Sequence, residues 1–166
     1  MFPPDFLAAA EAVLGACRAR GWQVTTAESC TGGLIAGLLT AIGGSSDVVD
    51  GGAVTYSNAA KTRMLGVPAA LIAAHGAVSE EVARAMAEGA RRTAGVDLAV
   101  AVTGVAGPGG GTAEKPVGLV WFGLASPAGV ATQSRIFPGD RTAIRMETVR
   151  HAMAALQKAA EAGRYV

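Results

Sequence analysis

The chain is poor in side chains that hold metals. Its only histidines, His75 and His151, are far apart, and Cys17 and Cys30 form no C-x-x-C pair. No paired spacing for a metal ion results, and both histidines read as structural. With two cysteines a single disulfide is the most the chain could form, but Cys17 shares the apolar face of the first helix with Leu7, Ala10 and Leu14, the setting of a buried core thiol. Charge is scarce as well. Charged residues make up 16%, the net charge is +1, and no basic run occurs, which argues against a nucleic-acid partner. No window approaches the ~20 apolar residues of a membrane-spanning helix. The opening Met1-Phe2-Pro3-Pro4-Asp5 lacks the basic segment and apolar core of a secretion signal, so a cytoplasmic location is expected.

What the chain does have is apolar mass and glycine. At 166 residues, 51% apolar and with 23 glycines, it is expected to form one compact domain over residues 1–166. The acid-poor, apolar composition is also compatible with a homo-oligomer.

Asp5 can cap a first helix that runs to about Arg20 and closes at Gly21. Trp22–Ala27 reads as a strand through the β-formers Val24, Thr25 and Thr26. Leu34–Ala41 reads as a helix through the 3–4 residue recurrence of Leu34, Ile35, Leu38, Leu39 and Ile42. Gly51–Ser57 predicts a second strand, and Asn58 a cap for a short helix through Leu65. Ser79 with Glu80 and Glu81 opens the clearest amphipathic helix, ending near Gly95. Leu98–Val102 is a continuous apolar run, as in a strand buried on both faces. Val117–Ala125 and Val130–Phe137 predict a hairpin around Pro127-Ala128-Gly129, and Asp140 caps a last helix to about Glu161. The order implies an α/β fold with helical layers on a mixed sheet.

The stretch Ala27-Glu28-Ser29-Cys30-Thr31-Gly32-Gly33 places two candidate nucleophiles at a strand-to-helix turn, where a helix N-terminus offers N–H groups to negative charge. An ordinary capped turn has the same composition. Two further stretches carry reactive groups: Val54–Lys61, with Tyr56 and Lys61, and the loop Gly104–Gly111. That loop fits neither a P-loop nor a G-x-G-x-x-G template, yet its backbone N–H groups suit a phosphate or carboxylate. Arg141 and Arg145 open the last helix against its dipole, which fits a bound anion there; snorkelling into solvent is the plainer reading. No G-x-S-x-G elbow surrounds a serine, so a Ser-His-Asp triad is not indicated. Two choices remain open on the residues alone: Ser29 activated by a lysine, or Cys30 activated with Lys61 and Glu28.

Taken in order, AESCTGG (27–33), GSS (44–46), VTYSNAAK (54–61), HGAVSE (75–80), TGVAGPGGG (103–111), EKPVGLVWFG (114–123) and GDR (139–141) resemble the CinA C-terminal domain family. Its stand-alone members are nicotinamide mononucleotide deamidases, and the chain resembles a stand-alone member. The resemblance implies a three-layer α/β/α sandwich around a mixed, mostly parallel five-stranded sheet. It also implies a metal-free, cofactor-free Ser/Lys amidohydrolase that converts nicotinamide mononucleotide to nicotinate mononucleotide and ammonia. By motif, Ser29 matches the nucleophile, Lys61 its general base, Tyr56 an auxiliary residue and Arg141 the functional arginine, with Arg145 the alternative match.

From residue type, the N–H groups of Cys30, Thr31, Gly32 and Gly33 are the expected oxyanion donors. Ser45 in the GSS motif, Thr103, Gly104, Ala106, Gly107 and Arg145 complete the expected substrate contacts. A nucleotide-binding module without catalysis, and an amidase for a different amide, are the competing functions. The pair Ser29 and Lys61 speaks against the first, because binding alone requires neither.

Overall fold

The computed structural model describes residues 1–164. Pro4–Arg20 form α1, with Pro3 at the N-cap; Asp5 lies in the first turn and bonds Arg150 rather than capping the helix. Gly21 then ends it in the left-handed conformation glycine adopts without strain. Strand β1 is Val24–Glu28, one residue beyond the predicted end, and α2 is Leu34–Thr40. A single 3-10 turn at Ser45–Asp47 leads into β2, Val49–Val54. The next three helices are α3 (Asn58–Leu65), α4 (Ala69–His75) and α5 (Glu80–Ala94). Strands β3 (Leu98–Gly104), β4 (Leu119–Ser126) and β5 (Gly129–Ile136) precede α6, Arg141–Ala162. Asp140 and Ser79 cap α6 and α5 as expected, whereas Ser57, not Asn58, caps α3 by accepting from the Ala60 N–H.

The sheet order is β2-β1-β3-β4-β5. β1 pairs in parallel with β2 and β3, while β3–β4 and β4–β5 are antiparallel. The expected mixed five-stranded sheet is present, but half of its pairings are antiparallel rather than most being parallel. The reason lies in the connections. Only β1 to β2 and β2 to β3 pass through helices; β3 returns through a loop and β4 through a tight hairpin, which reverse the chain.

Alternate residues of β3 face opposite layers. Leu98, Val100 and Val102 join the core under α1, α2 and α6, while Ala99 and Ala101 join the one under α5. The small side chains let α5 sit close to the sheet. At Gly123, which pairs with Ala101, an added Cβ would run into the Ala83 carbonyl oxygen of α5. The chain leaves β1 toward α2 on one face and reaches β3 through α5 on the other, so the crevice at the C-terminal ends of β1, β2 and β3 lies at a switch of direction. Open α/β sheets bind ligands in such crevices.

Candidate active site

Ser29 follows directly on β1, its N–H held by the Val102 carbonyl of β3. Lys61 lies on α3, one turn after the Ser57 cap, with its chain turned inward. It is the largest of the fully buried side chains, 1% exposed. Its Nζ is 3.0 Å from Ser29 Oγ and donates to the Thr55 carbonyl oxygen at 2.8 Å. No ion pair to a carboxylate is formed by Lys61 among the described residues. Burial therefore holds the Lys61 ammonium below its ordinary range, with the Cys30 side chain opposing that shift. A neutral amine has one lone pair for the serine proton and two hydrogens, one of which suits Thr55. The arrangement can deprotonate a hydroxyl for attack on an acyl carbon.

Cys30 is one residue from the serine and differs from it in burial. Its side chain belongs to the buried core under α1, α2 and α6, and the thiol is pushed up to about 12, chiefly by desolvation. A thiol held in this way is protonated near neutral pH. Both cysteines are buried and free of disulfide.

Arginines frame the turn. Arg145 of α6 donates from Nε to the Cys30 carbonyl at 3.1 Å and from a terminal nitrogen to the Thr31 carbonyl at 2.8 Å. Arg141, one turn earlier, donates to the Gly107 carbonyl at 2.8 Å and to the Tyr56 hydroxyl at 3.0 Å. Arg145 thus grips the turn after Ser29, and Arg141 bridges the β2–α3 loop and the glycine loop at the mouth.

These groups surround a cavity of about 190 Å³. Of the expected residues, Ser29, Cys30, Tyr56, Lys61, Thr103, Gly104, Ala106 and Arg141 line it. Thr31, Gly32, Gly33, Gly107 and Arg145 are not among its lining residues. Ser45 stands apart on the 3-10 turn beyond the C-terminal end of α2. Asn58, Ala77 and Val78 also line the cavity and were not singled out from sequence; two are apolar and Asn58 reads as a cap, so none carried a chemical signal. Two of the four expected oxyanion donors are already committed: the Gly32 N–H to the Ser29 carbonyl and the Gly33 N–H to Glu28. The Cys30 and Thr31 N–H groups make no backbone–backbone hydrogen bond among the described residues. A larger hollow of about 670 Å³ lies between α4 and α5, lined by Pro68, Leu71, Arg84, Glu88 and neighbours, away from Ser29. Among the described residues no group of three or more His, Cys, Asp or Glu is placed to hold a metal ion, and no helix is long and apolar enough to cross a membrane.

A buried lysine set against a serine in a crevice at the ends of parallel strands defines an α/β domain with its candidate site at the strand ends. Residues 7–160 match the CinA C-terminal domain, and the chain belongs to that family. It is 56% identical over 133 residues to the nicotinamide-nucleotide amidohydrolase PncC of Enterobacter agglomerans, covering 80% of this chain and 81% of that protein. A CinA-like protein of Anaeromyxobacter dehalogenans is 54% identical over 147 residues, 89% of this chain but only 36% of that protein, so the chain spans about a third of such relatives. Among solved structures, the competence/damage inducible protein CihA of Agrobacterium tumefaciens superposes with a TM-score of 0.90 at 50% identity, covering 94% of this chain and 96% of that one. A CinA superfamily protein of Klebsiella pneumoniae also gives 0.90, at 42% identity over 93% and 97% of the two chains.

Proposed function

We propose that this chain is a nicotinamide-nucleotide amidase that hydrolyses nicotinamide mononucleotide to nicotinate mononucleotide and ammonia, using Ser29 and Lys61 and no metal or cofactor. The observation that carries the reading is the 3.0 Å approach of a buried, carboxylate-free Lys61 to Ser29 Oγ. The relative of matching length named as a nicotinamide-nucleotide amidohydrolase supports the choice of substrate.

In the proposed reaction, neutral Lys61 takes the hydroxyl proton as Ser29 Oγ bonds to the carboxamide carbon. The carbonyl oxygen becomes an oxyanion, received by the Cys30 and Thr31 N–H groups. The Lys61 ammonium then returns its proton to the amide nitrogen, the C–N bond breaks, and ammonia leaves a Ser29 ester. Water, giving a proton to Lys61, adds to that ester. The bond from Ser29 Oγ to the acyl carbon breaks, Lys61 returns the proton to Oγ, and the acid leaves as its carboxylate, its own proton passing to solvent. General-base assistance of this kind contributes roughly 10²–10⁴ in rate. Arg141 and the Gly104–Gly111 loop take the substrate phosphate, with Tyr56 holding Arg141 in place. The proposed role of this conversion is pyridine nucleotide salvage, in a cytoplasmic protein.

The substrate choice is tested by ammonia release from nicotinamide mononucleotide, nicotinamide and asparagine at equal concentration. The reading predicts turnover of the mononucleotide well above the other two. Equal or higher release from nicotinamide or asparagine would refute it.

A further inference from the structure

The bulkiest buried acid of the site takes no part in the reaction above. Glu28 is the last residue of β1, 0% exposed, and forms no ion pair among the described residues. Its carboxylate instead accepts five hydrogen bonds. Oε1 receives the Ala36 N–H at 2.8 Å and the Thr26 hydroxyl at 3.2 Å. Oε2 receives the Thr31 hydroxyl at 2.6 Å and the N–H groups of Gly33 and Ile35, both at 3.0 Å. Each oxygen faces at least one backbone N–H, which can only donate, so both act as acceptors.

Gly33, the N-cap of α2, has no side chain with which to cap the helix. Glu28 supplies that cap from five residues upstream, and Leu34 N–H goes to the Thr31 carbonyl. The first turn of α2 is thereby filled from within. The carboxylate spans the loop that carries Ser29, Cys30 and Thr31, tying the strand end before it to the helix start after it. The backbone of the same residue reaches the base: the Glu28 carbonyl accepts from the Thr55 N–H at 2.8 Å, and the Thr55 carbonyl accepts from Lys61 Nζ. One residue thus anchors the nucleophile through its side chain and the general base through its carbonyl.

We propose that Glu28 is a positioning residue whose carboxylate sets the Ser29 turn, and with it the reach of Ser29 Oγ to Lys61 and the aim of the Cys30 and Thr31 N–H groups. This inference rests on Ser29 being the nucleophile. Glu28 is fully buried and does not line the cavity, so its loss acts on turnover and leaves binding alone. Displacements of an ångström in such a constellation cost about 10²-fold in rate.

The test is Glu28→Gln, which keeps the shape but turns a donor group toward a backbone N–H. Ammonia release from nicotinamide mononucleotide is expected to fall by about 10²-fold in kcat with KM within about threefold. Mononucleotide affinity, read by calorimetry in Ser29→Ala and in Ser29→Ala with Glu28→Gln, is expected to agree between the two. Thr31→Val, which removes a single donor, gives a smaller kcat loss in the same direction and serves if the glutamine variant does not fold. A crystal structure of either variant reads the claim without substrate, with Ser29 Oγ expected beyond hydrogen-bond distance of Lys61 Nζ. An unchanged turn in that structure, an unchanged kcat, or a rise in KM alone would overturn the inference. A wild type silent toward the mononucleotide would overturn the proposed function instead.

Discussion

Lys61 Nζ reaches Ser29 Oγ from 32 positions along the chain, across the boundary between α3 and the end of β1, and does so without a carboxylate to hold its charge. Desolvation lowers its proton affinity in the folded state relative to the ordinary value of 10.5. The folded protein therefore binds fewer protons than the unfolded chain between the lowered value and 10.5, and stability rises with pH across that window. One such group contributes a slope of at most about 1.4 kcal/mol per pH unit. Chemical denaturation at a series of pH values should show this rise, and Lys61→Met should flatten it. Activity should likewise rise with pH as Lys61 loses its proton, and that rise should fall below the pH at which a free lysine titrates.

Cys30 should be inert although it adjoins Ser29, the proposed nucleophile. Its thiol is buried and pushed up to about 12. Iodoacetamide at pH 8 should label neither the thiol nor reduce activity in the folded protein. Cys30→Ala should keep turnover within about tenfold, because the backbone N–H survives the substitution.

Arg141 presents its guanidinium at the mouth of the cavity, bonded to Tyr56 and to the Gly107 carbonyl. As the proposed phosphate ligand it acts on binding. Arg141→Ala should raise KM by about 10- to 100-fold, the worth of one charge-assisted hydrogen bond, with a smaller change in kcat. Steady-state kinetics on the mononucleotide separate the two effects.

The close seat of α5 on the sheet gives a prediction independent of chemistry. Gly123→Ala drives a methyl group into the Ala83 carbonyl. Overpacking of this kind costs about 1–3 kcal/mol, or roughly 2–4 °C in Tm per kcal/mol for a chain of this size. Thermal unfolding should show the loss, whereas Gly15→Ala, with open space around its position, should leave Tm unchanged or slightly raised.

Local signals in the sequence carried most elements. The Gly21 stop, the Ser79 and Asp140 caps, the apolar run of β3 and the hairpin turn are each decided within a few residues, and each stands where expected. Helix α4 did not announce itself: it is seven residues long, follows Pro68 and lacks a capping side chain. The balance of parallel and antiparallel pairs was misjudged because β3–β4 pairing is decided by where a long glycine loop returns. In the site, spacing alone left Ser29 and Cys30 open, and motif resemblance paired Ser29 with Lys61. What separates the two candidate nucleophiles is burial, which a hydroxyl and a thiol side by side do not reveal in sequence. Glu28 was read only as a partner for Cys30, and its hold on the turn stayed hidden for a related reason: three of its five donors are backbone N–H groups.

The central claim is that Ser29 and Lys61 act together on an amide. The most direct measurement is ammonia release from nicotinamide mononucleotide by wild type, Ser29→Ala and Lys61→Ala, each checked for folding and run with and without a chelator. The account predicts steady release by wild type, unaffected by chelator, a loss of about 10²–10⁴-fold for Lys61→Ala and at least as large a loss for Ser29→Ala. Wild-type turnover in a folded Ser29→Ala or Lys61→Ala variant would contradict it.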